Sequence, residues 1–311
     1  MPSHTQRDTA STSSSTATPS TTAAFGYGIQ PVRGVNLYVQ PSPVNCVFLM
    51  LRQRGGWFVL EPWITPSIFQ NTNNNDIIDE YTFGQMQDYN TALGVLTNHW
   101  QTWITEQDFI AIHNAGLSHV RYVNVYLYTP GLYIALIPSF GFMLSIPIGY
   151  WSIPLTSADT NQTTSVDPYI PGAWPYFLQA LTWAQTHSIH VIVDLHGAPG
   201  SQNGFDNSGQ RTNNPVWGLN PANISRTLDI IEFLAKNLGN RVDVIELLNE
   251  PAGYTSGQFA DAVRGYWSSG YNTVRSAAGG GVKVMIGDAF LGVSVCFLAP
   301  RCVYVEFMGL F

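Results

Sequence analysis

Three short, nearly unbroken apolar runs constrain the fold most: residues 190–195 (HVIVDL), 244–248 (VIELL) and 282–287 (VKVMIG). A strand with one wet face alternates apolar and polar residues. A run without alternation reads as a strand covered on both faces, the usual state in a parallel sheet. Residues 32–37 and the stretch around Val120 and Arg121 are further candidates.

Helix-length patterns separate these runs. Thr105 to Asp108 resembles a capping box ahead of Phe109, Ile110 and Ile112, and Gly116 closes that helix. Residues 175–187 put Phe177, Leu181 and Ala184 on one face. Residues 224–238 do the same with Leu228, Ile231 and Leu234 before Gly239, and 259–278 form the last helix. Strands alternating with helices imply α/β architecture with a parallel sheet. A (β/α)8 TIM barrel needs eight such units in about 250 residues. The expected fold is such a barrel, cut short after about five strands.

Bulk properties exclude several classes. Net charge is −7 with no Lys/Arg block, so neither nucleic acid nor an anionic membrane is an expected partner. The three cysteines and the scattered histidines show no ligand spacing, so neither a metal nor another cofactor is expected. Residues 1–24 are rich in Ser, Thr and Ala, lack the apolar stretch of a signal peptide, and are expected to be disordered. Residues 122–158 carry no charge, and 131–151 are apolar at membrane-span length. Pro130, Pro138, Pro147 and Pro154 argue against a helix there.

The chemistry-bearing residues sit where strands end. Asn249-Glu250-Pro251 follows the 244–248 run directly. A Glu at the C-terminal end of a barrel strand can serve as a general acid, and an adjacent Asn can bond a sugar hydroxyl. An ordinary strand-to-helix turn would also account for the pair. A second strand end carries Asp194 and His196 and runs through a Gly-rich loop to Gly204; it lacks the Gly-Lys-Ser/Thr of a phosphate loop. Arg33 to Leu37 and then Gly55 to Ser67 add Glu61 beside aromatic residues.

Together these motifs resemble the fungal exo-β-1,3-glucanase branch of glycoside hydrolase family 5, from about Phe25 to about Val293. The resemblance also takes in Ile146 to Trp151. It implies a β-glucan polysaccharide or oligosaccharide as substrate, a monomer, and an extracellular or cell-wall location. Glu250 would be the acid/base, and Asn249 would bind the 2-hydroxyl at the cleavage point. His196 and Arg121 would line that point, Arg121 by supporting the nucleophile. Glu61 would bind the terminal glucose with Trp63 beside it, and Phe205 would flank the next sugar.

The chain departs from that pattern. A retaining site needs two carboxylates about 5 Å apart. The only Glu after Glu250 is Glu306, in a tail, 294–311, outside the match; the nucleophile is therefore unassigned. Residues 38–54 and 122–145 interrupt the motifs, and deleting both restores continuity. Both insertions open Tyr-Val, whose codons can read as a 5′ splice site, and Val293-Ser294 can do the same. All three cysteines lie in or near these stretches. The insertions and tail are expected to be translated introns, and the chain to be compromised in folding or turnover. Two other readings remain: an endo-β-1,4-glucanase of the same clan, and a non-catalytic glucan-binding fragment. A membrane-anchored wall protein rests on residues 122–151 alone.

Overall fold

The structure is a computed structural model that describes residues 34–36, 56–114, 119–121, 145–291 and 303–305; for 34–36, 119–121, 145 and 303–305 it describes the backbone alone. Gly116, residues 38–54, most of 122–145, the three cysteines and Glu306 lie outside the described residues.

Seven strands form one sheet: β1 (Gly34–Asn36), β2 (His119–Arg121), β3 (Ser145–Gly149), β4 (His190–Gly197), β5 (Val244–Glu246), β6 (Lys283–Gly287) and β7 (Val303–Val305). Every pairing is parallel, in the order β1-β2-β4-β5-β6-β7, and β3 also pairs with β4. Each of the five expected strands is present. Two more were not read from the sequence. β3 escaped because Pro147 sits inside it, and a proline demotes a run. β7 escaped because it lies in the tail; it pairs through Met285↔Val303 and Gly287↔Val305.

β2 and β3 occupy one position in the sheet. His119 pairs with His190, and Ser145 with Ile192, Ile146 with Val193 and Pro147 with Asp194. Counted two residues on from His119, Arg121 would fall level with Ile192, the level at which Ser145 pairs. The next level, Val193, is taken by Ile146. By that count Ile146 is the level next after Arg121, so joining the two would need no change of register.

Seven helices accompany the strands. α1 (Pro66–Gln70), α2 (Glu80–Gln85) and α3 (Tyr89–Thr102) precede β2; α4 (Glu106–Asn114) leads into it. α5 (Trp174–Thr186), α6 (Pro221–Leu238) and α7 (Gly257–Ala278) connect β3 to β6. α4 starts as expected: the Asp108 carboxylate accepts from the Thr105 N–H at 2.8 Å. Asn220 caps α6, with Pro at its start, and Ser256 caps α7 by accepting from Phe259 N–H. α6 buries Thr227, Ile230, Ile231, Leu234 and Leu238, spaced for one face of a helix.

Side-chain parity divides the sheet into two environments. Val191, Val193 and Leu195 of β4, Ile245 of β5, and Val284 and Ile286 of β6 join the main core with the helices. The opposite face holds a separate small cluster of Ile192, Val244 and Met285. Beyond it on that face, Asp194 and Glu246 stand level with one another, and His196 follows. All three are buried. The core between sheet and helices is thus apolar, and the other face turns polar toward the strands' C-terminal ends.

Candidate active site

β4 and β5 run parallel, so their C-terminal ends deliver His196 and Asn249-Glu250 to one edge of the sheet. Asn249 N–H donates to the Leu195 carbonyl at 3.0 Å, locking the turn after β5 to the end of β4. Its side-chain Nδ2 lies 3.4 Å from His196 Nε2. Glu250 has φ +46, a left-handed conformation uncommon for a residue with a Cβ. That bend turns its half-buried side chain toward the loop after β4, where Asn207 Nδ2 donates to Glu250 Oε2 at 3.0 Å.

Beneath this pair, Asp194 Oδ2 accepts from His196 Nδ1 at 2.6 Å, with both side chains about fully buried. Burial alone would lower the His196 pKa. Asp194, by charge and by hydrogen bond, and then Glu61 and Glu250 outweigh it and bring the pKa to about 9. The charges of Glu61 and Glu250 thus converge on His196 from two different segments.

Glu61 is 1% exposed, and its Oε2 accepts from Trp63 Nε1 at 3.0 Å. Its segment is anchored from below. Glu80 Oε2 accepts from Leu60 N–H and Glu80 Oε1 from Trp151 Nε1, each at 2.8 Å. Burial raises the Glu80 pKa to about 7 in spite of those two hydrogen bonds. The Trp151 ring stacks on Tyr169 at 4.2 Å. It lies so close to Gly197 and Gly209 that a Cβ there would fall 2.6 and 2.2 Å from it. Those glycines are therefore required for the loop to lie against the indole.

The loop after β4 closes on itself. Gln202 Nε2 donates to the carbonyls of His196 and Asn249, at 2.7 and 3.0 Å, and so ties both strand ends together. Arg211 N–H donates to Asp79 of the α2 cap at 2.7 Å. Trp63 and Phe205 are 43% and 44% exposed, so neither is a core aromatic. Tyr254, also exposed, meets Phe290 edge-on, and burial together with the Glu250 charge raises its pKa.

Among the sequence-derived candidates, Glu250, Asn249, His196 and Glu61 come together, and Trp63 and Phe205 stand at the surface. Arg121 ends β2, and its side chain lies outside the described residues, as does Glu306. Asn207 and Gln202 were missed, although the Asn-rich run from Gln202 to Asn207 was a usable signal. Among the described residues no group of three or more His, Cys, Asp or Glu side chains could hold a metal, and no helix is long and apolar enough to cross a membrane. Residues 145–152, at the end of the apolar stretch 131–151, form strand β3 and a short 3-10 turn.

No known family model matches the chain. A glucan 1,3-beta-glucosidase of Blumeria graminis is 41% identical over 272 residues, covering 86% of this chain and 51% of that protein. One of Yarrowia lipolytica is 37% identical over 276 residues, covering 86% and 52%. Among solved structures, a rutinosidase from Aspergillus niger superposes with TM-score 0.57 at 20% identity, covering 75% of this chain and 60% of its own. A second, AoRut, gives 0.60 at 21%, covering 85% and 63%. The structural likeness speaks for the fold, and the sequence identity for kinship. By sequence the chain groups with the fungal glucan 1,3-beta-glucosidases, and it spans about half the length of the relatives it matches.

Proposed function

We propose that the chain carries the acid/base half of a retaining site that releases glucose from the ends of β-1,3-glucan on a (β/α)8 barrel. Glu250 is the acid/base, held by Asn207. Asn249 takes the sugar 2-hydroxyl beside His196. Arg121 supports the nucleophile. Glu61 binds the terminal glucose with Trp63, and Phe205 flanks the next ring. The observation that carries this reading is that Asn249-Glu250 meets the buried Asp194–His196 pair at the strand ends, in a chain whose relatives are glucan 1,3-beta-glucosidases. A β-1,3-glucan substrate supports an extracellular or cell-wall location. Residues 38–54 and 122–145 are additions to the barrel, and the register counted from His119, which puts Ile146 one level beyond Arg121, supports the second of them.

A non-catalytic glucan binder is the second reading. It is favoured by the exposed Trp63 and Phe205, whose ring faces can stack on sugars without turnover. Laminari-oligosaccharide binding and glucose release from laminarin are measured on the full chain and on Glu250→Gln. Binding without release supports the second reading. Release that Glu250→Gln reduces by about 10²–10⁴-fold supports the first. Absence of both refutes the glucan assignment.

A further inference from the structure

We propose that Asp194 is a positioning residue that holds His196 as an imidazolium, and that this turns the Asn249 carboxamide with its oxygen toward the imidazole and its N–H2 toward the substrate. The second half rests on the glucan reading of the site; the first does not.

The two oxygens of the Asp194 carboxylate have unlike surroundings. One oxygen, Oδ2, lies 2.6 Å from His196 Nδ1. The other, Oδ1, is buried without a hydrogen-bond partner among the described residues. A buried carboxylate with one bond to a neutral imidazole would leave a poorly compensated charge, which is strongly unfavourable. A protonated imidazole supplies the counter-charge and makes the bond charge-assisted, consistent with its short length.

The surroundings favour the same state. Glu61 and Glu250 act on His196 from the segment before α1 and the turn after β5, and Glu246 stands level with Asp194 on the neighbouring strand. Arg121, at the end of β2, is the nearby cation by sequence position; its side chain lies outside the described residues.

The consequence reaches Asn249. In an imidazolium both ring nitrogens donate. His196 Nδ1 is already engaged by Asp194, so Nε2–H points at the Asn249 carboxamide 3.4 Å away. An N–H2 group cannot accept that hydrogen; the carboxamide oxygen can. Nitrogen and oxygen of an amide are distinguished by such a network and not by shape. With the oxygen turned inward, the two amide hydrogens face the sugar, and Asn249 becomes a donor to the 2-hydroxyl oxygen. A neutral imidazole with Nε2 unprotonated would reverse this and make Asn249 an acceptor.

Histidine C2 hydrogen–deuterium exchange, read by mass spectrometry of the full chain across pH 5–10, reports the protonation midpoint of His196 directly. The expected midpoint is about 9 in the native chain. It should fall by about two pH units in Asp194→Asn and be largely restored in Asp194→Glu. A native midpoint at or below the ordinary histidine value overturns the proposal, and needs no variant to fold. So does a midpoint that Asp194→Asn leaves in place. Laminaribiose binding separates the two halves: an about tenfold loss in Asp194→Asn at pH 8, where the native His196 is still mostly protonated and the variant's is not, supports the Asn249 relay, and unchanged binding overturns it. If the native chain binds no laminaribiose, the glucan reading and the Asn249 half fall with it, and the exchange midpoint still decides the Asp194–His196 pair.

Discussion

Deleting residues 122–145, so that Arg121 is joined to Ile146, should stabilise this protein. The strand levels fix the reasoning. His119 pairs with His190 and Ile146 with Val193, so the shortened chain presents His119, Val120, Arg121 and Ile146 at four successive levels of β4. No strand shifts and no side chain changes face, because a register slip would be needed for either. In the native chain about two dozen residues must leave and rejoin one strand position, at a closure cost of about 3 kcal/mol from (3/2)RT ln n. For a protein of this size that corresponds to a rise in Tm of about 4–6 °C. Thermal unfolding of both chains, followed by near-ultraviolet circular dichroism, measures it. A deletion that unfolds at a lower temperature, or that fails to fold where the parent folds, would show that the segment supplies packing of its own. The same result would remove the support that the register gives to its being an addition.

Gly209→Ala should destabilise by about 2–4 kcal/mol, since it combines φ +85 with a Cβ 2.2 Å from the Trp151 ring; denaturant unfolding with an unchanged midpoint would show the loop can retreat. Trp63→Phe keeps an aromatic face but removes the hydrogen bond to Glu61, so laminaribiose affinity should fall about fivefold, or roughly 1 kcal/mol, as calorimetry would detect. Glu80 has its pKa raised to about 7, so its contribution to stability is complete below about pH 4.5 and is lost as pH rises through 7. Glu80→Gln lacks this titration and also leaves one of two N–H donors unmatched. The stability gap between native chain and variant should therefore narrow from pH 5 to pH 7, and a constant gap would place the Glu80 titration elsewhere. His99, lowered to about 4 by burial, acts in the opposite sense: its contribution is present above about pH 6.5 and is lost as pH falls through 4, which Tm measured from pH 7 to pH 3.5 would follow.

The central strands were legible because they are covered on both faces. Residues 190–195 and 282–287 could hardly be anything else, and the helices beside them show their periodicity plainly. What escaped has identifiable causes. α1 to α3 fall in a stretch with Asn71, Asn73, Asn74 and Asn75, a composition that reads as loop. The starts of α2 and α3 are set by Asp79 and Asp88, whose side chains accept from Thr82 and Thr91 N–H. Such a cap is one Asp and one Thr in a chain with 13 Asp and 25 Thr, so it becomes informative only once the helix is known. β3 is a different case. Pro147 lacks the N–H that a central strand uses on alternate sides, and the rule that demotes such runs is sound on average.

The site was legible to the extent that chemistry is carried by strand ends. Glu250, Asn249 and His196 could be named because each follows an apolar run, and a parallel sheet must bring such ends together. The second tier could not. Gln202 joins the carbonyls of His196 and Asn249, and Asn207 reaches Glu250. Both depend on how one loop folds back over Trp151, which no periodicity encodes. Yet the parity of β4 held a clue. Val191, Val193 and Leu195 are all apolar and face the helices, whereas Ile192, Asp194 and His196 become polar along the other face. A buried strand has no structural need of a carboxylate, because desolvating one is unfavourable without a partner. The placement of Asp194 two residues before His196, on the same face and one pleat deeper, is the arrangement that a positioning group requires. The polar half of an otherwise apolar strand therefore marks both the residue that meets the substrate and the one that holds it there.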